Sequence, residues 1–200
     1  MFLHSDEYII FFKGCEAAGM RQNIQAVFID RDGTIGGNGH FIHPNDFELF
    51  PNAQKAIQML KENGIKVFAF TNQHRISRGQ ATIEEFETQF ETYGFDAAYI
   101  CPHELSENCG CRKPKAGMLL KAAEEHRLDL TECIVIGDVG DTDMLAAHRV
   151  GARKILVKTG WGEGALAQHR DKWRETEPDF IADDILEAVR WILESSLFIG

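Results

Sequence analysis

Residues 26–36 read AVFIDRDGTIG, so a short apolar run ends on Asp30 and Asp32 and then meets a glycine. Side chains at i and i+2 of a strand point to one side, which would put both carboxylates into one small volume. Like charges that close repel unless a cation or a shared proton offsets them. The spacing therefore points to metal or proton-transfer chemistry. An EF-hand calcium loop is excluded, because it requires Asp or Asn at position 5, Gly at 6 and Glu at 12. Counted from Asp30 those positions hold Thr34, Ile35 and Phe41; counted from Asp138 they hold Thr142, Asp143 and Arg149.

A second group lies in ICPHELSENCGCRKP, where Cys101, His103, Cys109 and Cys111 form a C-x-H-x₅-C-x-C array. Three thiolates and an imidazole complete a closed tetrahedral zinc site with no open position, which is a structural rather than a catalytic arrangement. Clustered cysteines in a reducing compartment favour a metal over disulfides. The array runs directly into Arg112 and Lys113, so zinc would stiffen the loop that aims both cations. Cys15 and Cys133 are expected to be incidental or buried thiols.

The elements that must hold these residues alternate along the chain. Strand-like runs occur at 26–29, 65–70, 97–100, 133–136 and 154–157. Amphipathic helical patterns fall between and after them. The first is 51–63, with Pro51 in its first turn and Gly64 as its stop. Thr82 and Glu85 form a capping box for the second, ending before Gly94. The others are 115–127, 141–149 with Gly151 as stop, and about 183–194. Phe86, Phe90 and Tyr93 recur at helical spacing and are expected in the core. Repeated β–α alternation predicts a three-layer α/β/α, Rossmann-like architecture with a mostly parallel sheet. Such sheets bind ligands beyond the carboxyl ends of their strands. Three polar signals are expected at those ends: Asp30 to Thr34, Thr71-Asn72-Gln73, and Gly137-Asp138 with Asp141 and Asp143 after it.

DRDGT, TNQ, the RKP of CRKPK, and GDVGDTD match in order the four motifs of the haloacid dehalogenase-like (HAD) phosphatases, which this sequence resembles over about residues 20–160. The cysteine array before RKP narrows the resemblance to subfamily IIIA, the branch holding heptose-bisphosphate and histidinol-phosphate phosphatases. The resemblance implies the HAD-like fold without a large cap domain. It implies Asp30 as nucleophile forming an aspartyl-phosphate, and Asp32 as acid and then base. It implies Mg²⁺ held by Asp30, the Asp32 carbonyl and Asp138. The GDxxxxD spacing selects Asp143 as the further acid, while Asp141 equally suits a first-turn helix acid. Thr71, Asn72 and the following amides would hold the phosphoryl oxygens. Lys113 would neutralise them, the KP context favouring it over Lys115. Arg112 and Arg78 would contact the substrate. Arg75 departs from the heptose enzymes, which usually carry Gly there. The expected substrate is a small phosphorylated sugar, first heptose 1,7-bisphosphate with removal of the 7-phosphate. Histidinol phosphate, a polynucleotide 3′-phosphate and a non-catalytic zinc-stabilised binding module are the alternatives.

The whole chain sets outer bounds. Its 200 residues, 44% hydrophobic and 26% charged, suit one globular domain. A net charge of −10 disfavours nucleic acid and anionic membrane as partners. No apolar stretch approaches the roughly 20 residues that cross a bilayer. The first residues lack a secretory pattern, so the cytoplasm is the expected compartment, with a monomer as the expected state. Residues 1–19 precede the alternation and read as an extension or as a segment packing on a sheet edge. GWGEG at 160–164 lacks the dinucleotide fingerprint and is expected to be a loop. His40 and His43 lie near the first motif, where a place in the pocket lining is the alternative to the expected surface position.

Overall fold

A computed structural model describes residues 24–195. The segment 1–19 and Cys15 lie outside the described residues. Six strands form one wholly parallel sheet in the order β3-β2-β1-β4-β5-β6. They are β1 (Ala26–Ile29), β2 (Lys66–Asn72), β3 (Ala97–Cys101), β4 (Cys133–Gly137), β5 (Arg153–Val157) and β6 (Phe180–Ala182). The helices are α1 (Ala53–Glu62), α2 (Ile83–Thr92), α3 (Gly117–His126), α4 (Leu145–Arg149), α5 (Gly162–Leu166) and α6 (Ile185–Ser195). Strand β1 is central, with β2 on one side and β4 on the other, so the chain reverses its direction of travel across the sheet there. That is the switch point at which an open α/β sheet leaves a crevice.

Alternation along the strands builds two cores. Val27, Ile29, Val67, Ala69, Ile134 and Ile136 join Ile57 and Leu60 of α1, Phe86 and Phe90 of α2, and Val189 and Ile192 of α6. Ala26, Phe28, Phe68, Phe70 and Val135 face the other way, against Leu119 of α3 and Ala146 of α4. Because both faces are covered, β1 is buried at every residue and reads as an unbroken apolar run. The Phe28 ring lies 5.3 Å from Phe68 in a tilted contact and 6.3 Å from Phe70 edge-on, between centroids, and aromatic pairs of this kind are worth about 0.5–1.5 kcal/mol each beyond area burial.

The Thr82–Glu85 capping box forms in full: the Thr82 hydroxyl accepts from the Glu85 N–H, and the Glu85 carboxylate accepts from the Thr82 N–H. Phe86 and Phe90 are buried as expected. Tyr93 is only half-buried, because it sits past the last turn and its hydroxyl donates to the Phe47 carbonyl at 3.3 Å. Other boundaries differ from the sequence expectation. Strand β2 runs on through Thr71 and Asn72 because both pair with β3. The segment 141–149 begins as a π-helical turn, Gly140–Met144, before α4. The end of GWGEG is helical, since Ala165 donates its N–H to the Trp161 carbonyl and opens α5. Strand β6, three residues long, was not foreseen. The 30–52 connection from β1 to α1 holds one 3₁₀ turn and no separate cap domain. No described helix is long and apolar enough to cross a membrane.

Candidate active site and metal cluster

A cavity of about 540 Å³ opens over the carboxyl ends of β1, β2 and β4, and Asp30, Asp32, Thr71, Asn72, Arg112 and Lys113 line it. Strand β1 ends at Ile29, so strand alternation does not itself carry Asp30 and Asp32 to one side. The turn after it does, with the Gly33 N–H donating to the Gly36 carbonyl at 2.7 Å.

Asp30, Asp138 and Asp143 are all buried, and one oxygen from each lies within 4.8 Å of the others. Burial first, then the neighbouring Asp30 and Asp143 charges, push Asp138 well above the ordinary carboxylate range. Burial likewise lifts Asp143 to about 6, against the pull of Lys113. Three converging carboxylate oxygens are hard donors of the kind that suit Mg²⁺. Asp138 is further fixed by the Trp161 N–H at 2.8 Å and the Thr34 hydroxyl at 3.4 Å. Its floor is built of glycine: a Cβ on Gly33 (φ +92°) would stand 2.1 Å from Asp138 Oδ2, and one on Gly160 (φ +56°) 2.2 Å. Asp143 turns one oxygen to Lys113 at 2.7 Å and the other to the Val139 N–H at 3.0 Å. Asp141 is only half-buried and lies outside the cluster.

Lys113 reaches Asp30 at 2.6 Å, Asp143 at 2.7 Å and the Phe70 carbonyl at 2.8 Å. Burial opposes its charge, but the Asp143 and Asp30 carboxylates outweigh it and hold the ammonium protonated. Lys115 instead donates to the Asn108 and Cys109 carbonyls. Asn72 clamps the Lys113 backbone from both sides: its Nδ2 donates to the Lys113 carbonyl at 3.2 Å, and its Oδ1 accepts the Lys113 N–H at 3.0 Å. No local pattern announces that clamp, because 41 residues separate the partners.

Asp32 accepts from Arg31 Nη1 at 2.6 Å and from Gln73 Nε2 at 2.5 Å. Burial raises its pKa to about 6; Arg31 pulls it down and Asp30 pushes it up. Gln73 Nε2 also donates to the Thr71 hydroxyl at 3.0 Å. Gln73 belongs to the expected Thr71-Asn72-Gln73 signal, but neither its side-chain contact to Asp32 nor that of Arg31 is foreseen from sequence. Arg78 does not line the cavity; it pairs with Glu104 at 2.5 Å. Arg75 does line it, as do His40 and His74, while His43 lies 3.6 Å from Glu85. Burial pulls the His74 pKa down, and Arg112, Arg75 and Arg78 add to that pull against Glu104.

Beyond β3 the four ligand atoms of Cys101, His103, Cys109 and Cys111 gather. Cys111 Sγ is 3.4 Å from both Cys101 Sγ and Cys109 Sγ, and His103 Nδ1 is 3.2 Å from Cys111 Sγ. Zn–S bonds of about 2.3 Å imply ligand–ligand separations of about 3.8 Å in a tetrahedron, so the set fits zinc after a small expansion. None of the four described cysteines is in a disulfide. Arg112 Nη1 donates to the His103 carbonyl at 3.2 Å, which ties the cluster to the cavity wall. Cys133 is buried and its thiol donates to the Asp129 carbonyl.

The HAD-hydrolase-like family model matches residues 110–188. The chain is 36% identical over 159 residues to D-glycero-beta-D-manno-heptose-1,7-bisphosphate 7-phosphatase of Yersinia pestis, covering 70% of this chain and 84% of that one. It is 40% identical over 144 residues to the Helicobacter pylori protein of the same name, covering 66% and 83%. Among solved structures, D,D-heptose 1,7-bisphosphate phosphatase from B. bronchiseptica, complexed with magnesium and phosphate, superposes with a TM-score of 0.74. That match has 26% identity and covers 85% of this chain and 98% of the other.

Proposed function

Because the chain belongs to the HAD-like family of phosphoric monoester hydrolases, in the branch of the heptose bisphosphate phosphatases, we propose that it removes the 7-phosphate of D-glycero-D-manno-heptose 1,7-bisphosphate. The observation that carries this reading is the juxtaposition of Asp30 and the Lys113 ammonium, 2.6 Å apart at the floor of the cavity. An anionic nucleophile attacks an anionic ester only where cations cancel the repulsion.

In the first step an Asp30 carboxylate oxygen forms a bond to phosphorus and the ester P–O bond breaks. The departing oxygen keeps that electron pair and takes the proton of the Asp32 carboxyl group, leaving the sugar alcohol and an aspartyl-phosphate. In the second step water adds its oxygen to phosphorus and gives a proton to the Asp32 carboxylate. The bond between phosphorus and Asp30 breaks, which regenerates the Asp30 carboxylate and releases phosphate. A pKa of about 6 lets Asp32 give and take that proton near neutrality. Two moderate barriers replace one high one. Thr71 and the Asn72 amide orient the phosphoryl oxygens and Lys113 offsets their charge, whereas the Gln73 N–H is spent on the Cys101 carbonyl at 2.7 Å. Asp30, the Asp32 carbonyl, Asp138 and the outer Asp143 would hold Mg²⁺, which supplies further charge cancellation on the phosphoryl oxygens when bound.

Cys101, His103, Cys109 and Cys111 would hold a structural zinc that keeps Arg112 aimed at the substrate, in a reducing, cytoplasmic setting where the cysteines stay out of disulfides. Arg112 and Arg75 beside the cavity favour a substrate with a second anionic group over histidinol phosphate, whose far end is cationic. The test is a turnover panel with Mg²⁺: heptose 1,7-bisphosphate, histidinol phosphate and a 3′-phosphorylated oligonucleotide. The heptose ester should be cleaved with a kcat/KM at least tenfold above the others. Preference for either competitor would overturn the substrate, and failure on every ester would overturn the enzyme.

A further inference from the structure

Arg31 is fully buried, with no exposed surface, yet it faces no bulk anion and is not in the cavity lining. Its guanidinium lies between two rings, 3.7 Å from the Phe47 centroid and 4.9 Å from that of Phe86. Nε donates to Gln89 Oε1 at 2.8 Å and Nη1 to Asp32 Oδ1 at 2.6 Å, while Nη2 has no hydrogen-bond partner among the described residues. Gln89, buried on α2, is itself held by donating to the Pro44 carbonyl at 2.7 Å. A continuous path thus runs from the backbone at Pro44 through Gln89 and Arg31 to Asp32.

An arginine taken wholly out of water with one amino group unsatisfied contributes little to stability, because desolvation offsets most of what its pairing gains. Its hydrogen bonds go where the chemistry is. A planar fork can grip Gln89 and Asp32 at once in a fixed geometry, which a lysine ammonium cannot. We propose that Arg31, held by Gln89 and the Phe47–Phe86 slot, is the positioning residue that fixes the Asp32 carboxyl in line with the leaving oxygen and then with the attacking water. The inference rests on the role of Asp32 given above and goes beyond it by assigning residues that never touch the substrate.

The test separates positioning from mere folding by leaving group. Nitrophenolate departs without a proton, so transfer from p-nitrophenyl phosphate to Asp30 needs no acid, whereas breakdown of the aspartyl-phosphate still needs Asp32 as base. In Arg31→Met, the burst of one nitrophenolate per enzyme should keep its native rate within about twofold, and the steady rate after it should fall about 10²-fold. On the heptose ester, kcat should fall about 10²-fold with no burst of product. The melting temperature of the variant should fall, because Asp32 and Gln89 each lose a buried partner, while its far-UV circular dichroism stays native. Gln89→Met should give the same pattern in milder form, and it carries the test if Arg31→Met does not fold. Arg31→Lys should fail to restore turnover. A burst slowed in step with the steady rate would mean a distorted site and overturn the proposal, as would unchanged kinetics in both variants. Asp32→Ala run in parallel keeps the two levels apart. If it lacks the burst-then-stall pattern, the role of Asp32 is wrong; if it has the pattern and the Arg31 and Gln89 variants do not, only the positioning role is wrong.

Discussion

At the scale of single residues the site is a balance of buried charges. Asp32 and Asp143 are lifted to about 6 from an ordinary 3.8, and Asp138 also moves up, with burial as the leading cause in each case. The folded protein therefore binds more protons than the unfolded chain between about pH 4 and 6, and stability from these groups falls as pH rises through that window. Mg²⁺ must displace the protons on Asp138 and Asp143, so its binding strengthens as they leave. The rise in melting temperature produced by a fixed excess of Mg²⁺ should be larger at about pH 7.5 than at about pH 5. An equal rise at both would contradict the three-carboxylate cluster. The acids were legible because Asp-x-Asp after an apolar run, and Gly-Asp after another, are local patterns. The side-chain contacts of Arg31, Gln73 and Gln89 were not, since what marks them is burial and partners up to 58 residues away, which only the packed fold supplies. Arg78 shows the opposite case: its position beside a motif is local, but its partner Glu104 lies on the cysteine loop.

At the scale of elements, the cysteine loop and the capped helix make separable predictions. Cys109→Ser removes one of four ligands, so the purified protein should lose zinc by metal analysis. Because Arg112 is tied to the His103 carbonyl, KM for the heptose ester should rise several-fold with a smaller change in kcat. Unchanged metal content would count against the four-ligand set. Thr82→Ala removes the hydroxyl arm of the α2 capping box and leaves the arm from the residue-82 N–H to the Glu85 carboxylate, at a cost of about 1 kcal/mol. For a chain of this size that lowers the melting midpoint by about 2–4 °C. Strands β1 to β5 and helices α1, α2, α3 and α6 were legible because each is long enough to show its period or carries its own stop signal. The FIA strand β6 is too short to show a period and forms because β5 offers it an edge. The π turn at 140–144 follows from Asp143 folding back to cap the Val139 N–H, a contact no spacing rule contains.

At the scale of the whole molecule, the parallel order with β1 in the middle is what makes four distant motifs one site. Residues 30, 71, 113 and 138 meet only because β2 and β4 flank β1 and the cysteine loop returns Lys113 over Phe70. The net charge of −10 and a cavity of about 540 Å³ suit a small anion guided by local cations rather than a polymer bound over a broad basic face. Everything proposed for the reaction depends on phosphorus passing through Asp30. The direct measurement is acid quench of the full chain within its first turnover of heptose 1,7-bisphosphate and Mg²⁺, followed by intact-mass and peptide mapping. One phosphoryl group per chain, located on Asp30 and absent from Asp30→Asn, is the predicted result. A native enzyme that turns over with no phosphorylated form, or with the group on Asp138 or Asp143, would contradict it.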